Sequence, residues 1–189
     1  MSAMVRRGGR ATLPDGGEVI WSVADGRRGR RWRAETIRAG VLTSSLLLEV
    51  GVDGRPVRLE LATAAGLLTL HPETGALHGN AVTADGVRHL TFPWSDDHGL
   101  EVDGLVIPSA VTAHRLAATT VGEGSLVPVV IVGLDLTVRA AERGYRRMDA
   151  TTWRVEGDGT EETLAVNGHG LPIWPGPAGE WPLELEPPG

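Results

Sequence analysis

The chain contains no cysteine among its 189 residues. A disulfide framework, a thiolate zinc site and a cysteine nucleophile are thereby excluded. Lysine is missing as well, so every basic side chain is an arginine. A Walker A loop and Schiff-base chemistry both need that lysine, and two classes of enzyme drop out. No apolar run approaches the ~20 residues that a membrane-spanning helix requires. The opening MSAMVRRGGRATLPDGG has arginines but no apolar stretch behind them, unlike a secretory signal. These absences predict a cytoplasmic protein without a transmembrane segment. The net charge of −6 makes nucleic acid an unfavoured partner, because phosphate backbones are held through an excess of positive charge.

What is present reads as β structure. Twenty-six glycines and twelve prolines separate short apolar segments at roughly 8–12 residue spacing, as in an all-β domain. The expectation is a single, mainly β domain over residues 1–189, with 1–15 and 186–189 frayed. Residues 19–23 form a first strand closed by Asp25-Gly26. Arg27, Arg28, Arg30, Arg31 and Arg33 then bracket Trp32; the cluster reads as a solvated hairpin tip, or as a grip for an anionic headgroup. Residues 42–50 and 57–61 about Asp53-Gly54 give the clearest hairpin. Residues 67–70 are a strand, and 76–89 are ambiguous around Asp85-Gly86. Residues 100–107 read as a strand with a bulge at Gly104. Residues 109–119 read equally as a short helix capped by Ser109 or as a strand. Later, 152–156 puts Trp153 and Val155 on one face, Gly157-Asp158-Gly159 turns into 163–166, and 181–185 alternates again.

The chain is organised around residues 126–147, LVPVVIVGLDLTVRAAERGYRR. Residues 126–132 are apolar on both alternate faces, as in a strand covered on both sides. From Leu134 onward the pattern alternates, predicting a half-buried strand, then a turn at Gly144 into Tyr145-Arg146-Arg147. An apolar wall ending in a basic, aromatic rim suits an amphiphilic ligand. An ordinary core strand that reaches the surface looks the same.

No catalytic motif rises above background. Gly122-Glu123-Gly124-Ser125 is not a nucleophile elbow. Asp96, Asp97 and His98 are adjacent in a turn, so their side chains diverge, and the remaining histidines are scattered. A glycine-rich dinucleotide fingerprint is lacking. No cofactor and no metal is expected. What remains is six tryptophans against one tyrosine and one phenylalanine. Core packing accounts for most of them, but tryptophan also suits sugar rings and lipid necks. Arg115, Arg146 and Arg147 have the geometry to grip a phosphate or carboxylate.

Several of these motifs follow one another in the second half: Pro108 with His114-Arg115-Leu116, the apolar strand 127–138, Tyr145-Arg146-Arg147, Trp153, and Gly170-Leu171-Pro172-Ile173-Trp174-Pro175-Gly176. In that order and spacing the chain resembles the bacterial glycolipid-binding family. The resemblance implies an antiparallel sheet curled into an incompletely closed barrel, with few short helices, similar to the Lol lipoprotein carriers. Such a sheet wraps an apolar cavity. The family name rests on that structural likeness, so it implies a capacity to bind rather than a ligand.

The reading that follows is non-catalytic binding of a lipid or glycolipid. Acyl chains would lie against Leu126, Val130 and Val132, with Trp153, Trp174 and Tyr145 at the mouth. Arg115, Arg146 or Arg147 would meet the head. Burying ten or so methylenes at about 0.8 kcal/mol each would contribute about 8 kcal/mol before ordering costs. Two other readings stay open: a scaffold that forms a homodimer through the apolar wall, and an enzyme acting on a small ligand. The enzyme needs a His–Asp pair drawn from His71, His78, His89, Asp96, Asp97, His98 and His114.

Overall fold

The structure is a computed structural model that describes residues 5–13 and 16–173. Its first half is one continuous antiparallel meander of eight strands, each paired to the next: β1 (Val5–Thr12), β2 (Glu18–Gly26), β3 (Gly29–Arg38), β4 (Val41–Val50), β5 (Pro56–Thr63), β6 (Gly66–Glu73), β7 (Ala76–Thr83) and β8 (Gly86–Pro93). Alternation decides which face turns inward. Trp21, Val23, Trp32, Ala34, Leu46, Leu48, Leu59, Leu61, Leu68, Leu70 and Leu77 are buried on that face. The intervening residues face water. The Asp53-Gly54 hairpin forms as expected, with Gly51 N–H donating to the Arg55 carbonyl at 2.8 Å. The ambiguous stretch 76–89 is the β7–β8 hairpin. The opening residues, expected to fray, instead pair with β2 from Val5 to Thr12.

The second sheet has six strands in the order β14-β13-β12-β11-β10-β9: β9 (Gly99–Val102), β10 (Gly124–Val132), β11 (Val138–Arg147), β12 (Thr152–Gly157), β13 (Thr160–Val166) and β14 (Pro172–Ile173). Four expectations change here. The strand expected over 100–107 stops at Val102, because β9 runs parallel to β10. A parallel pair needs a crossover, and α1 (Val106–Arg115) supplies it. The helix therefore starts earlier than Ser109, with Leu105 at the N-cap and no side-chain cap. The long strand from Leu126 also breaks: residues 133–137 turn, and Asp135 Oδ1 accepts from Thr137 N–H and Oγ1–H at 3.0 and 2.6 Å. Gly144 is not a turn but lies inside β11. The segment 181–185 falls outside the described residues.

The described residues form a single, mainly β domain with a curled half-barrel sheet and one short helix. Helix α1 packs on β9 at one edge of the second sheet and on β13 and β14 at the other, so that sheet curls around it. Two cores result. Val130, Val132, Leu100 and Val102 face the meander and join its core, together with Ile107 and Val111 of α1. Val127, Val129, Ile131, Tyr145, Trp153, Val155, Leu164 and Val166 face Ala110 and Ala113 on the other side. The both-sided burial read from residues 126–132 holds from Val127 on, while Leu126 is 68% exposed.

Gly29 sets the close approach of the β2–β3 hairpin to β4. Its φ is +126°, and an added Cβ would lie 2.0 Å from the Val50 carbonyl oxygen. Both the torsion and the backbone clash oppose a side chain. Gly29→Ala is expected to lower stability by about 1–3 kcal/mol from the torsion alone, read by urea denaturation. An unchanged midpoint would mean that the hairpin can move away from β4.

Candidate functional site

The residues nominated from the sequence do not converge. Val130 and Val132 are sealed in the meander core, at 1% and 0% exposure. Tyr145 and Trp153 lie in the other core, on the opposite face of the second sheet. Tyr145 is fully buried, and its hydroxyl donates to Glu101 Oε1 at 2.7 Å, while Arg143 Nε donates to Glu101 Oε2 at 3.0 Å. Burial first, and the Glu101 charge second, push the Tyr145 phenol far above its usual range, so it stays a donor. Arg147 gives its hydrogens to the carbonyls of Ala117, Thr119, Asp149 and Ala150, and its guanidinium stands 5.9 Å from the Trp153 ring. Arg146 points from the opposite face into solvent. Trp174 lies outside the described residues.

Arg115 does reach a cavity. Four segments distant in sequence enclose about 420 Å³: the β2–β3 turn with Asp25 and Arg30, the β4–β5 turn with Val50 and Val52, the end of α1 with Val111, His114 and Arg115, and Gly170 before β14. Arg115 itself is committed to holding the wall, donating to the carbonyls of Asp96, Asp97 and His98 at 3.0, 2.8 and 2.9 Å. Arg30 is the cation of the cavity with more hydrogens left. Its Nε donates to Asp25 Oδ1 at 2.6 Å and its Nη1 to the His169 carbonyl at 2.5 Å. That leaves three of its five N–H bonds for a ligand. Its guanidinium also stands 5.9 Å from the Trp32 ring, a cation–π contact that fixes the plane. Asp25 is held in turn by Arg7 at 3.0 Å. At Gly170 an added Cβ would come within 2.7 Å of the His114 ring and 3.0 Å of Arg30 Nη1, so backbone alone closes that side.

His114 lines the cavity and is still exposed to solvent. Burial first, then the Arg30 charge, hold its pKa below the usual 6.5; Asp25 pulls the other way and His169 adds to the lowering. A neutral imidazole beside a fixed guanidinium can donate to an anion, and it can take up a proton when one arrives.

The His–Asp pair that an enzyme would need is not assembled in this cavity from the candidate set. Of those seven, only His114 lines it. His71, His78 and His89 belong to the exposed outer face of the meander, where His89 pairs with Asn80. His98 caps its own turn by accepting Ser95 N–H at 3.0 Å, and Asp96 pairs with Arg55 at 3.0 Å. Among the described residues no group of His, Asp or Glu could hold a metal ion. No helix among them is long and apolar enough to cross a membrane. Arg30 was legible as part of the Arg27–Arg33 run, but nothing local in the sequence joins it to His114 or Gly170.

A solved structure from Pseudomonas aeruginosa, described as a DUF1089 family protein, is similar to this chain. It matches over 98% of this chain and 93% of its own, with a TM-score of 0.56 and 15% sequence identity. At that identity the likeness bears on the fold alone. No family model and no curated protein matches the chain.

Proposed function

We propose that the protein binds an amphiphile with an anionic head, a lipid or glycolipid, without catalysis and in the cytoplasm. The observation that carries this reading is Arg30. It is an arginine fixed by a carboxylate, a carbonyl and an indole face, with hydrogens to spare, at the wall of a cavity whose other surfaces include Val50, Val52 and Val111. A volume of about 420 Å³ is within the range that accepts a small ligand. The head would sit between Arg30 and His114, and the first apolar part of the ligand against the three valines.

Native mass spectrometry after gentle purification, followed by release under denaturing conditions, tests for a retained lipid. A defined probe separates the contributions. A long-chain alkyl phosphate is expected to bind, and a neutral alkyl maltoside far less. Arg30→Ala should weaken alkyl phosphate binding by roughly 10–100-fold, the worth of a charge-assisted hydrogen bond. Equal binding of both probes, or an Arg30→Ala protein with unaltered affinity, would remove the basis of the reading.

The His114 shift sets a direction with pH. An anion placed beside it raises its pKa, so the complex takes up a proton that the free protein leaves in solution. Affinity for an alkyl sulfate, whose own charge is constant over this range, is therefore expected to rise as pH falls from about 8 to about 6. In the absence of ligand the sign is opposite for stability. The folded state resists protonating His114, so its contribution falls as pH drops below the usual 6.5. His114→Asn should flatten the pH dependence of affinity; an unchanged slope would assign the proton elsewhere.

A further inference from the structure

We propose that the arginine-lined depression beside this cavity is a docking face for an anionic bilayer surface. The depression encloses about 870 Å³, and Arg6, Arg27, Arg28, Arg30, Arg31 and Arg33 line it. Glu49 is the one carboxylate among the described residues of the lining, and Arg31 already holds it at 2.5 Å. The side chains of Arg6, Arg27, Arg28 and Arg33 make no hydrogen bond or ion pair among the described residues. In a chain of net charge −6 this concentration runs against the composition. The strand register explains it. Arg6 pairs with Ala24 and Arg31 with the same residue, while Arg33 pairs with Ser22. All therefore project from the outer face, opposite buried Val23 and Trp32, and Arg27 and Arg28 extend that face at the hairpin tip.

Two further observations select a lipid surface. First, the neighbouring β4–β5 hairpin exposes aliphatic side chains, Val52 at 79% and Val57 at 50%. Val57 lines the depression and Val52 the cavity. Arginines with adjacent exposed aliphatics match a headgroup layer, where charge attraction and shallow apolar insertion add. Second, the strand tryptophans of this region, Trp21 and Trp32, are buried at 2% and 0% exposure, so they offer none of the stacking platforms that single-stranded nucleic acids use. The depression also shares Gly26, Gly29, Arg30 and Val50 with the cavity, so docking would set the cavity mouth at the headgroups. Docking goes beyond the cavity reading and does not require a ligand there.

Co-sedimentation with phosphatidylcholine vesicles, with and without phosphatidylserine, at low and high salt, tests the proposal. The expected result is capture by the phosphatidylserine vesicles alone, released by salt. Arg27→Ala with Arg28→Ala should weaken capture roughly thirtyfold, at roughly fivefold per arginine, with the melting temperature unchanged because both lie at an exposed turn. Val52→Ser should weaken it less. The proposal is overturned if phosphatidylserine gives no selective capture, or if the double variant is captured like the wild type. It is equally overturned if duplex DNA or single-stranded RNA binds where vesicles do not, or if soluble phosphoserine at stoichiometric concentration displaces the vesicles. Alkyl phosphate binding measured on the same protein separates the two readings: phosphatidylserine-selective capture without alkyl phosphate binding removes the cavity reading and leaves docking standing, and alkyl phosphate binding without selective capture does the reverse.

Discussion

Glu101→Ala is expected to lower the unfolding free energy by about 3–5 kcal/mol, the loss that follows when one partner of a buried ion pair is removed. Glu101 sits at 6% exposure on β9, and its two oxygens receive Tyr145 Oη–H and Arg143 Nε–H from β11. Deleting the carboxylate leaves the Arg143 guanidinium, at 13% side-chain exposure, without its main counter-charge. Asp158 compensates weakly at 3.5 Å. Tyr145→Phe should cost less, about 1–3 kcal/mol, since it leaves one carboxylate oxygen short of a bond but keeps the ion pair. Glu101→Leu combined with Arg143→Met and Tyr145→Phe should come close to the wild type, because the desolvation penalty disappears with the attraction and no buried donor loses its acceptor. Chemical denaturation of Glu101→Leu, Arg143→Met and Tyr145→Phe, alone and in combination, closes the cycle. A Glu101→Ala protein within about 1 kcal/mol of wild type would show that water replaces the carboxylate and that the pair does not hold β9 in place.

Trp32→Ala is the second large effect, at about 3–5 kcal/mol. The ring is fully buried in the meander core and packs against Trp21 with centroids 5.9 Å apart, so truncation leaves a void bounded by a rigid sheet. Its Nε1 has no hydrogen-bond partner among the described residues. Trp32→Phe therefore gives up volume but no hydrogen bond, and should cost under about 2 kcal/mol. The comparison reaches the cavity as well, since Arg30 lies over this ring. Phenylalanine keeps an aromatic face beneath Arg30 and should largely preserve alkyl phosphate affinity. Should Trp32→Phe destabilise as much as Trp32→Ala, the indole nitrogen would have a partner after all.

The meander was legible in the sequence because its information is local. A period of two sorts Leu46 and Leu48 from Leu47 and Glu49, and Asp53-Gly54 announces its own hairpin. The curled half-barrel came through the resemblance rather than through periodicity. The helix was half legible: Ala110 and Ala113 tolerate it, but Leu105 lacks a capping side chain, so the start carried no signal. What moved the start to Val106 was the need to bridge parallel β9 and β10, a long-range demand with no local mark.

The site was legible only in its parts. Val130 and Tyr145 were grouped as wall and rim of one cavity, yet they face different cores. The decisive event is the turn at residues 133–137, which places Val132 opposite Val138. A register one residue different would exchange every face of β11. Composition, alternation and turn residues thus determined by themselves that this chain is β, which strands are one-sided, and that β10 is covered on both sides. Which residues meet was decided by tertiary structure alone. Arg30, His114, Val52 and Gly170 come together because the fold brings four segments distant in sequence to one end, and no periodicity within a strand encodes how two sheets close on each other.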